Sequence, residues 1–373
     1  MKLKLFDGIA TLLGAIIGAG VLGIPYVVAK AGVTPGLVMI LVLGIVCLIM
    51  NLMLTEVVLR THGDHQLTGY ARRYLGKWGG WLMLVSVVVG VYGALAAYGL
   101  GLGASLAHLV GGSPAIWMWI ALGVLSILLA QRLEIIELSE RYLSAGKVLL
   151  VVVFAFIAFS SSQFTHYNFT PVTSWTLPFG VILFSLLGTA VIPEVREELW
   201  KTPRLLGKAV FWGSAIPIVL YALFALAVIG VTGSHTTEIA SVGLGTTLGT
   251  GALVLLNLFA VLALGSAFLA LGEALKKTYE EDYGRSEWFS FALTLTPPAL
   301  LLLLGATSFI GILGLTGAIA GGIDGIVIVL MYWEAKRKGT RRPEFMLNLP
   351  KAVDYVVIAV FAAALVWGVS HLF

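Results

Sequence analysis

Two stretches of this chain put helix-breaking residues where an apolar helix tolerates them least. GAIIGAGVLGIP carries Gly14, Gly18, Gly20 and Gly23 before Pro25, and FSLLGTAVIPE carries Gly188 followed by Pro193. Glycine weakens a helix through its backbone entropy, and proline removes a donor and clashes with the preceding turn. In hydrocarbon every peptide group released in this way is costly, so a break persists only where protein, ligand or water satisfies it. Broken helices therefore offer a chemistry that apolar spans otherwise lack, namely unpaired amides and carbonyls converging on a polar ligand. The two breaks correspond: GAGVLGIP begins at Gly18 and GTAVIP at Gly188, and their helices are expected to run in opposite directions across a membrane. Matched interruptions in oppositely oriented halves point to an inverted-repeat transporter with its site near the bilayer midplane. Small-residue packing faces of the GxxxG kind explain either stretch alone better than they explain the pair.

Ionisable residues inside apolar runs are the second source of chemistry, because their desolvation is expensive and usually marks a pathway. Lys147 falls about six residues into an apolar span, roughly 9 Å from its start. A lysine at that depth can also snorkel back to the interface. Asp324, in GAIAGGIDGIVIVL, has no partner nearby in sequence and lies about nine residues inside a span end. Glu194 follows Pro193 and reads either as a first-turn acid favoured by the helix dipole or as a cytoplasmic gate residue. Glu56 with Arg60 and Glu273 with Lys277 are i,i+4 pairs at helix ends and read as interfacial structure.

The elements that carry these residues are set by hydropathy. With 59% hydrophobic and 11% charged residues and a mean hydropathy of +0.99, the chain needs a bilayer as its solvent. About 20 apolar residues cross the hydrocarbon. On that measure eleven spans are expected, near 6–31, 35–60, 79–109, 115–131, 141–162, 176–200, 207–232, 249–275, 288–304, 308–333 and 352–372. Pro297-Pro298 should kink the ninth, and the connection 232–250 is long enough for a short re-entrant or surface helix. All of the 23 lysines and arginines except Lys30 fall in the N-terminal tail, in the even-numbered connections or on the span ends that flank them. Basic bias in short loops sets orientation, which predicts a cytoplasmic N-terminus and an outer C-terminus in a cytoplasmic (cell) membrane.

Other classes find little support. There is no HExxH motif, and His62 and His65 in HGDH read as a solvated loop pair rather than a metal site, which needs more ligands at fixed distance. The chain is read as neither enzyme nor metalloprotein, with no catalytic and no metal-ligating residues. No repeated filter or ring of charges suggests a channel. The net charge of +4 is spread over loops facing anionic lipid, so no nucleic-acid partner is expected. Cys47 is the only cysteine, which excludes an intramolecular disulfide. Asn168-Phe169-Thr170 is a formal glycosylation sequon of little weight.

The first span, IIGAGVLGIPYVVAKAG, and the sixth, LPFGVILFSLLGTAVIPE, resemble those of the amino acid/auxin permeases and the related aromatic amino-acid permeases of the APC superfamily. The resemblance covers essentially the whole chain. It implies an all-α membrane protein with a five-plus-five inverted repeat of the LeuT type and one appended helix. The repeats would be 1–163 and 170–338, followed by the extra helix 351–373.

The resemblance also implies an α-amino acid as substrate, held where the breaks lie. Its carboxylate suits amides at a half-helix N-terminus, assigned here to Ala19, Gly20 and Val21 beside Gly18. Its ammonium needs released carbonyls, which by motif match come from Ile16, Phe184 and Leu187. Ser185 and Thr189, flanking Gly188, offer hydroxyls, and Phe184 resembles the aromatic residue that closes the site from outside in related carriers. Tyr98 reads equally as pocket wall or packing, and Tyr92 as packing. Some proton-coupled members of the superfamily place a fifth-helix lysine where sodium-coupled relatives hold an ion. On that resemblance Lys147, with Ser266 and Asp324, is expected to couple transport to protons. Ser266 has no adjacent hydroxyl, so a sodium cage looks incomplete. The expectation is a proton symporter importing a neutral amino acid, since no carboxylate stands beside either break in the sequence. It uses no cofactor beyond the proton gradient and no obligatory protein partner. The alternatives are sodium symport, or an amino-acid sensor on the same fold.

Overall fold

The computed structural model describes residues 2–63, 65–131, 135–167 and 177–371, and the regular structure of those residues is helical throughout. The sequon Asn168–Thr170 lies outside the described residues, as does Arg132 of the charge pattern. In chain order the α-helices are α1 (Lys2–Ile16), α2 (Gly20–Ala31), α3 (Val33–Leu59), α4 (Leu67–Val110), α5 (Pro114–Ala130), α6 (Ile135–Ser160) and α7 (Leu177–Leu186). They continue with α8 (Ile192–Glu198), α9 (Leu206–Thr232), α10 (Ala240–Leu248), α11 (Thr250–Lys277), α12 (Glu287–Leu303), α13 (Phe309–Lys338) and α14 (Lys351–Ser370).

Among the described residues seven helical segments are long and apolar enough to cross a membrane, or eight when α1 and α2 count as one span bent by 57°. Shorter apolar helices cover Pro114–Ala130, Gly146–Ser160 and Glu287–Leu303. Leu41, Val42, Ile45, Ile120, Val124 and Ile127 point outward and are exposed. In water that surface would be an aggregation liability, whereas lipid tails solvate it at no cost.

One element differs from its expected span. The third begins at Leu67 rather than near residue 79, because LTGYARRYL forms an amphipathic helix of its own. Leu67, Tyr70, Ala71 and Tyr74 recur at i, i+3, i+4 and i+7 and are buried, while Arg72 and Arg73 face out. Gly76, at φ 75°, turns this surface helix into the span proper, a backbone region in which a side chain would be strained. The connection 232–250 does form a short helix, α10; Gly233 at φ 54° ends α9 before it and Gly249 at φ 94° closes it. Pro297 and Pro298 lie inside α12, which remains a single helix.

The centre of the molecule is built around α13, which packs on α4, α14, α7 and α3. Helices α7 and α13 touch backbone to backbone, since a Cβ on Gly180 would run into Gly314 and one on Gly317 into Gly180 and Phe184. Residues 339–350 strap the C-terminal ends of α3 and α13 together, with Tyr332 donating to Leu347 O at 2.9 Å. Thr340 and Arg341 donate backbone N–H groups to the Arg60 carbonyl at 3.0 and 3.3 Å. The fully buried Glu56 accepts from Arg60 Nε at 2.8 Å and from the Leu347 N–H at 2.6 Å. The Glu56–Arg60 pair is therefore more than interfacial decoration, because it anchors this strap. Glu273 pairs with Lys276 at 3.4 Å.

Candidate functional site

The helical ladder of the first span stops where the glycines predict. Ile17 donates to Leu13 O at 2.8 Å, Gly18 turns back onto Ile16 O at 2.9 Å, and the next helix opens with Leu22 donating to Ala19 O at 3.0 Å. The first-turn amides of α2, at Ala19, Gly20 and Val21, are orphans of the kind every helix start leaves, and Ala19 supplies no side-chain cap. They form the positive end of a 12-residue helix in the buried interior. In the sixth span α7 ends at Leu186, Gly188 sits at φ −125°, ψ 10°, and a 3₁₀ turn over Thr189–Val191 leads into α8.

The two breaks lie against each other. A Cβ on Gly188 would stand 2.9 Å from Ile16 Cδ1, and one on Gly20 would stand 2.6 Å from Ser185 Cβ. Gly20 is thus filled by its neighbour, and the Ser185 hydroxyl donates to Val181 O at 2.7 Å within its own helix. Gly18 differs: an added Cβ would meet nothing nearer than Ala15 O and the Tyr98 hydroxyl, both at 3.8 Å. The first break therefore has room for a methyl group in ordinary contact with Ala15 and with the Tyr98 hydroxyl, which places Tyr98 beside the break.

Carbonyls at both breaks meet a residue that the sequence reading did not single out. Tyr221, fully buried on α9, donates to Ile16 O at 2.7 Å and lies 3.3 Å from Ser185 O. The Ile16 carbonyl, expected to hold an ammonium, already accepts the Gly18 N–H and this hydroxyl. Phe184 and Leu187 are half-buried beside Gly317 and Gly321 of α13. A phenol in hydrocarbon must find an acceptor, but the tyrosine inside IPIVLYALFAL carries no local sign of which acceptor that is.

Asp324 corrects one premise. The chain has no carboxylate beside the breaks in sequence, but folding brings one there: Thr189 donates to Asp324 Oδ2 at 3.0 Å, and Ser86 of α4 donates within 2.6 Å of Oδ1. The Ser86 hydroxyl also lies 2.7 Å from Ala320 O. Asp324 therefore ties α13 and α4 to the start of the second half of the broken sixth span. Lys147 is buried in α6, a helix packed on α1 and α11. Ser266 of α11 turns its hydroxyl onto Ala263 O at 3.1 Å. Glu194 is exposed on α8. Tyr92 does bridge helices, as expected of packing, through the Tyr279 hydroxyl and Leu293 O, both at 2.8 Å.

Comparison with known proteins gives a consistent result. A model of the tryptophan/tyrosine permease family matches residues 1–368. Glutamine transporter 2 of Aliivibrio fischeri is 26% identical over 366 residues, covering 94% of this chain and 94% of that protein. Tyrosine-specific transport system 1 of Haemophilus influenzae is 26% identical over 358 residues, covering 88% of each. Among solved structures, the inward-facing conformation of Mhp1 superposes with a TM-score of 0.65 at 13% identity, over 97% of this chain and 89% of that one. That likeness concerns the fold, which is of the LeuT type.

Proposed function

The chain belongs to the tryptophan/tyrosine permease family, whose matched relatives are amino-acid transporters and not enzymes, and from that premise we propose that it imports a neutral amino acid by proton symport. The substrate lies at the two broken helices. Its carboxylate meets the amides of Ala19, Gly20 and Val21 beside Gly18, and its ammonium meets the carbonyls of Ile16, Phe184 and Leu187, with Ser185, Gly188 and Thr189 completing the wall. The observation that carries this reading is the apposition of an uncapped helix start to a second break, with Gly18 uncrowded between Ala15 and Tyr98.

Neutrality of the substrate now rests on the relatives, because Asp324 removes the argument from a missing carboxylate. Glutamine, tyrosine and tryptophan all end in uncharged groups that carry an N–H or O–H donor. Lys147, Ser266 and Asp324 form the proposed proton-coupling set, with Phe184 as outer gate and Glu194 as inner gate. The seven long spans, the bent pair and the three shorter apolar helices support eleven crossings. The basic connections support a cytoplasmic N-terminus in the cell membrane. Five-plus-five repeats over 1–163 and 170–338 and an added helix over 351–373 complete the architecture.

The test is uptake of labelled L-glutamine, L-tyrosine and L-tryptophan into proteoliposomes under an imposed pH gradient, with and without sodium. Saturable, gradient-driven uptake independent of sodium supports the proposal. Sodium-dependent uptake replaces the coupling ion, and binding without uptake points to a sensor.

A further inference from the structure

The hydroxyl that joins the two breaks has a consequence for the transport cycle. Ile16 closes α1, and Ser185 stands in the last turn of α7. Their carbonyls belong to two helix C-terminal ends, each carrying the negative end of a dipole. The Ile16 carbonyl already accepts the Gly18 N–H at 2.9 Å. Two negative ends meeting in an apolar interior still call for a donor between them, because dry surroundings magnify the cost of an under-paired carbonyl. Tyr221 supplies that donor from within the protein, at 2.7 Å from Ile16 O and 3.3 Å from Ser185 O. Its ring is held in the core of α9, a helix packed against both α1 and α2 and also touching α7. The carbonyls therefore have a partner whether or not a substrate is present.

An α-ammonium carries three donors and a positive charge, and it complements the same carbonyls more strongly than a phenol does. A secondary carrier must cross its closed intermediate twice per cycle, once loaded and once unloaded. In the loaded passage an ammonium can satisfy these groups. In the unloaded passage only an internal donor can do so. We propose that Tyr221 is a positioning residue that stands in for the substrate ammonium at the Ile16 and Ser185 carbonyls, and so allows the unloaded carrier to close and return. This inference rests on the reading that an amino acid binds at the two breaks, and it adds the Ser185 carbonyl to the acceptors proposed for the ammonium.

Tyr221→Phe removes the hydroxyl and keeps the ring. Two fluxes separate a stand-in donor from a merely structural one: exchange of labelled for unlabelled amino acid, which never requires the unloaded return, and net gradient-driven uptake, which does. The probe is whichever of L-glutamine, L-tyrosine and L-tryptophan the wild type takes up. Y221F is expected to keep exchange within about twofold of wild type and to lose about tenfold in net uptake, the scale of one buried hydrogen bond. Equal loss of both fluxes, or no loss of either, overturns the proposal. If Y221F yields no folded carrier when purified alone, purification in saturating probe should recover it, since the ammonium then supplies the donor. Failure to recover it also counts against the proposal. Gly18→Ala keeps the two failures apart. If G18A lowers uptake while the two Y221F fluxes fall together, only the stand-in role is lost. If G18A transports normally, the site reading falls and the inference falls with it.

Discussion

Thr189 and Asp324, 135 residues apart in the chain, are joined by a hydrogen bond of 3.0 Å that fastens the broken sixth span to α13. Because Ser86 of α4 bonds the other carboxylate oxygen, this one side chain joins α13 and α4 to the 3₁₀ turn that follows the second break. Asp324→Asn keeps the shape and an acceptor but removes the exchangeable charge. It is expected to leave exchange largely intact and to reduce pH-driven uptake by at least about tenfold, the effect of losing one charge-assisted bond. Asp324→Ala should lower both fluxes and the unfolding temperature. Full gradient-driven uptake by D324N would remove Asp324 from coupling.

Glycines at the first break should respond in opposite ways. Gly18→Ala adds a methyl group that makes only ordinary contacts, with no neighbour closer than 3.8 Å, so the variant should fold with unchanged thermal stability and bind amino acid more weakly. Gly20→Ala drives a methyl group into Ser185, whose Cα lies 2.8 Å from the added atom. Overpacking of this kind typically costs about 1–3 kcal/mol, so G20A should unfold at lower temperature. Thermal unfolding and ligand-binding curves for the two variants check both statements. Equal loss of stability in the pair would contradict the geometry.

Lys147→Ala is expected to abolish pH-driven uptake while sparing exchange and substrate binding. The lysine is buried in α6, on a different element from the first-turn amides of α2, so the carboxylate contacts are expected to survive its loss. Concentrative uptake at the wild-type level in K147A would exclude Lys147 from the coupling path.

Glu56 gives a prediction about stability rather than transport. Its buried carboxylate satisfies both the Arg60 guanidinium and the Leu347 amide. Glu56→Ala leaves the Leu347 donor and the Arg60 charge without that partner, at a cost of about 1–3 kcal/mol. Glu56→Gln retains an acceptor for Leu347 and should cost less. Thermal unfolding in detergent ranks the three proteins, and a stability of E56A equal to wild type would mean the strap contributes nothing.

The broken spans were legible in the sequence because glycine and proline inside an apolar run of membrane length conflict with the local requirement for a continuous helix. Gly18, Gly188 and Pro193 carry that conflict in their own identities. The surface helix before Gly76 was missed because it is too polar to register as a span, although its i, i+3, i+4, i+7 pattern was present. Tyr221 was invisible for a different reason: its acceptor at Ile16 lies 205 residues away, and no local pattern distinguishes it from a packing tyrosine. Asp324 was recognised as costly, but its partners Thr189 and Ser86 are set by how α7, α4 and α13 pack. Contacts between spans follow from tertiary packing, whereas departures from regular helix are written locally.

The central claim is tested most directly by a structure of the carrier with a transported amino acid bound. The account predicts the substrate carboxylate within hydrogen-bonding distance, about 3 Å, of the Ala19, Gly20 and Val21 amides, and the ammonium beside the Ile16 and Ser185 carbonyls in place of the Tyr221 hydroxyl. A ligand bound elsewhere, with α1 and α2 joined into one continuous helix through Gly18, would contradict it.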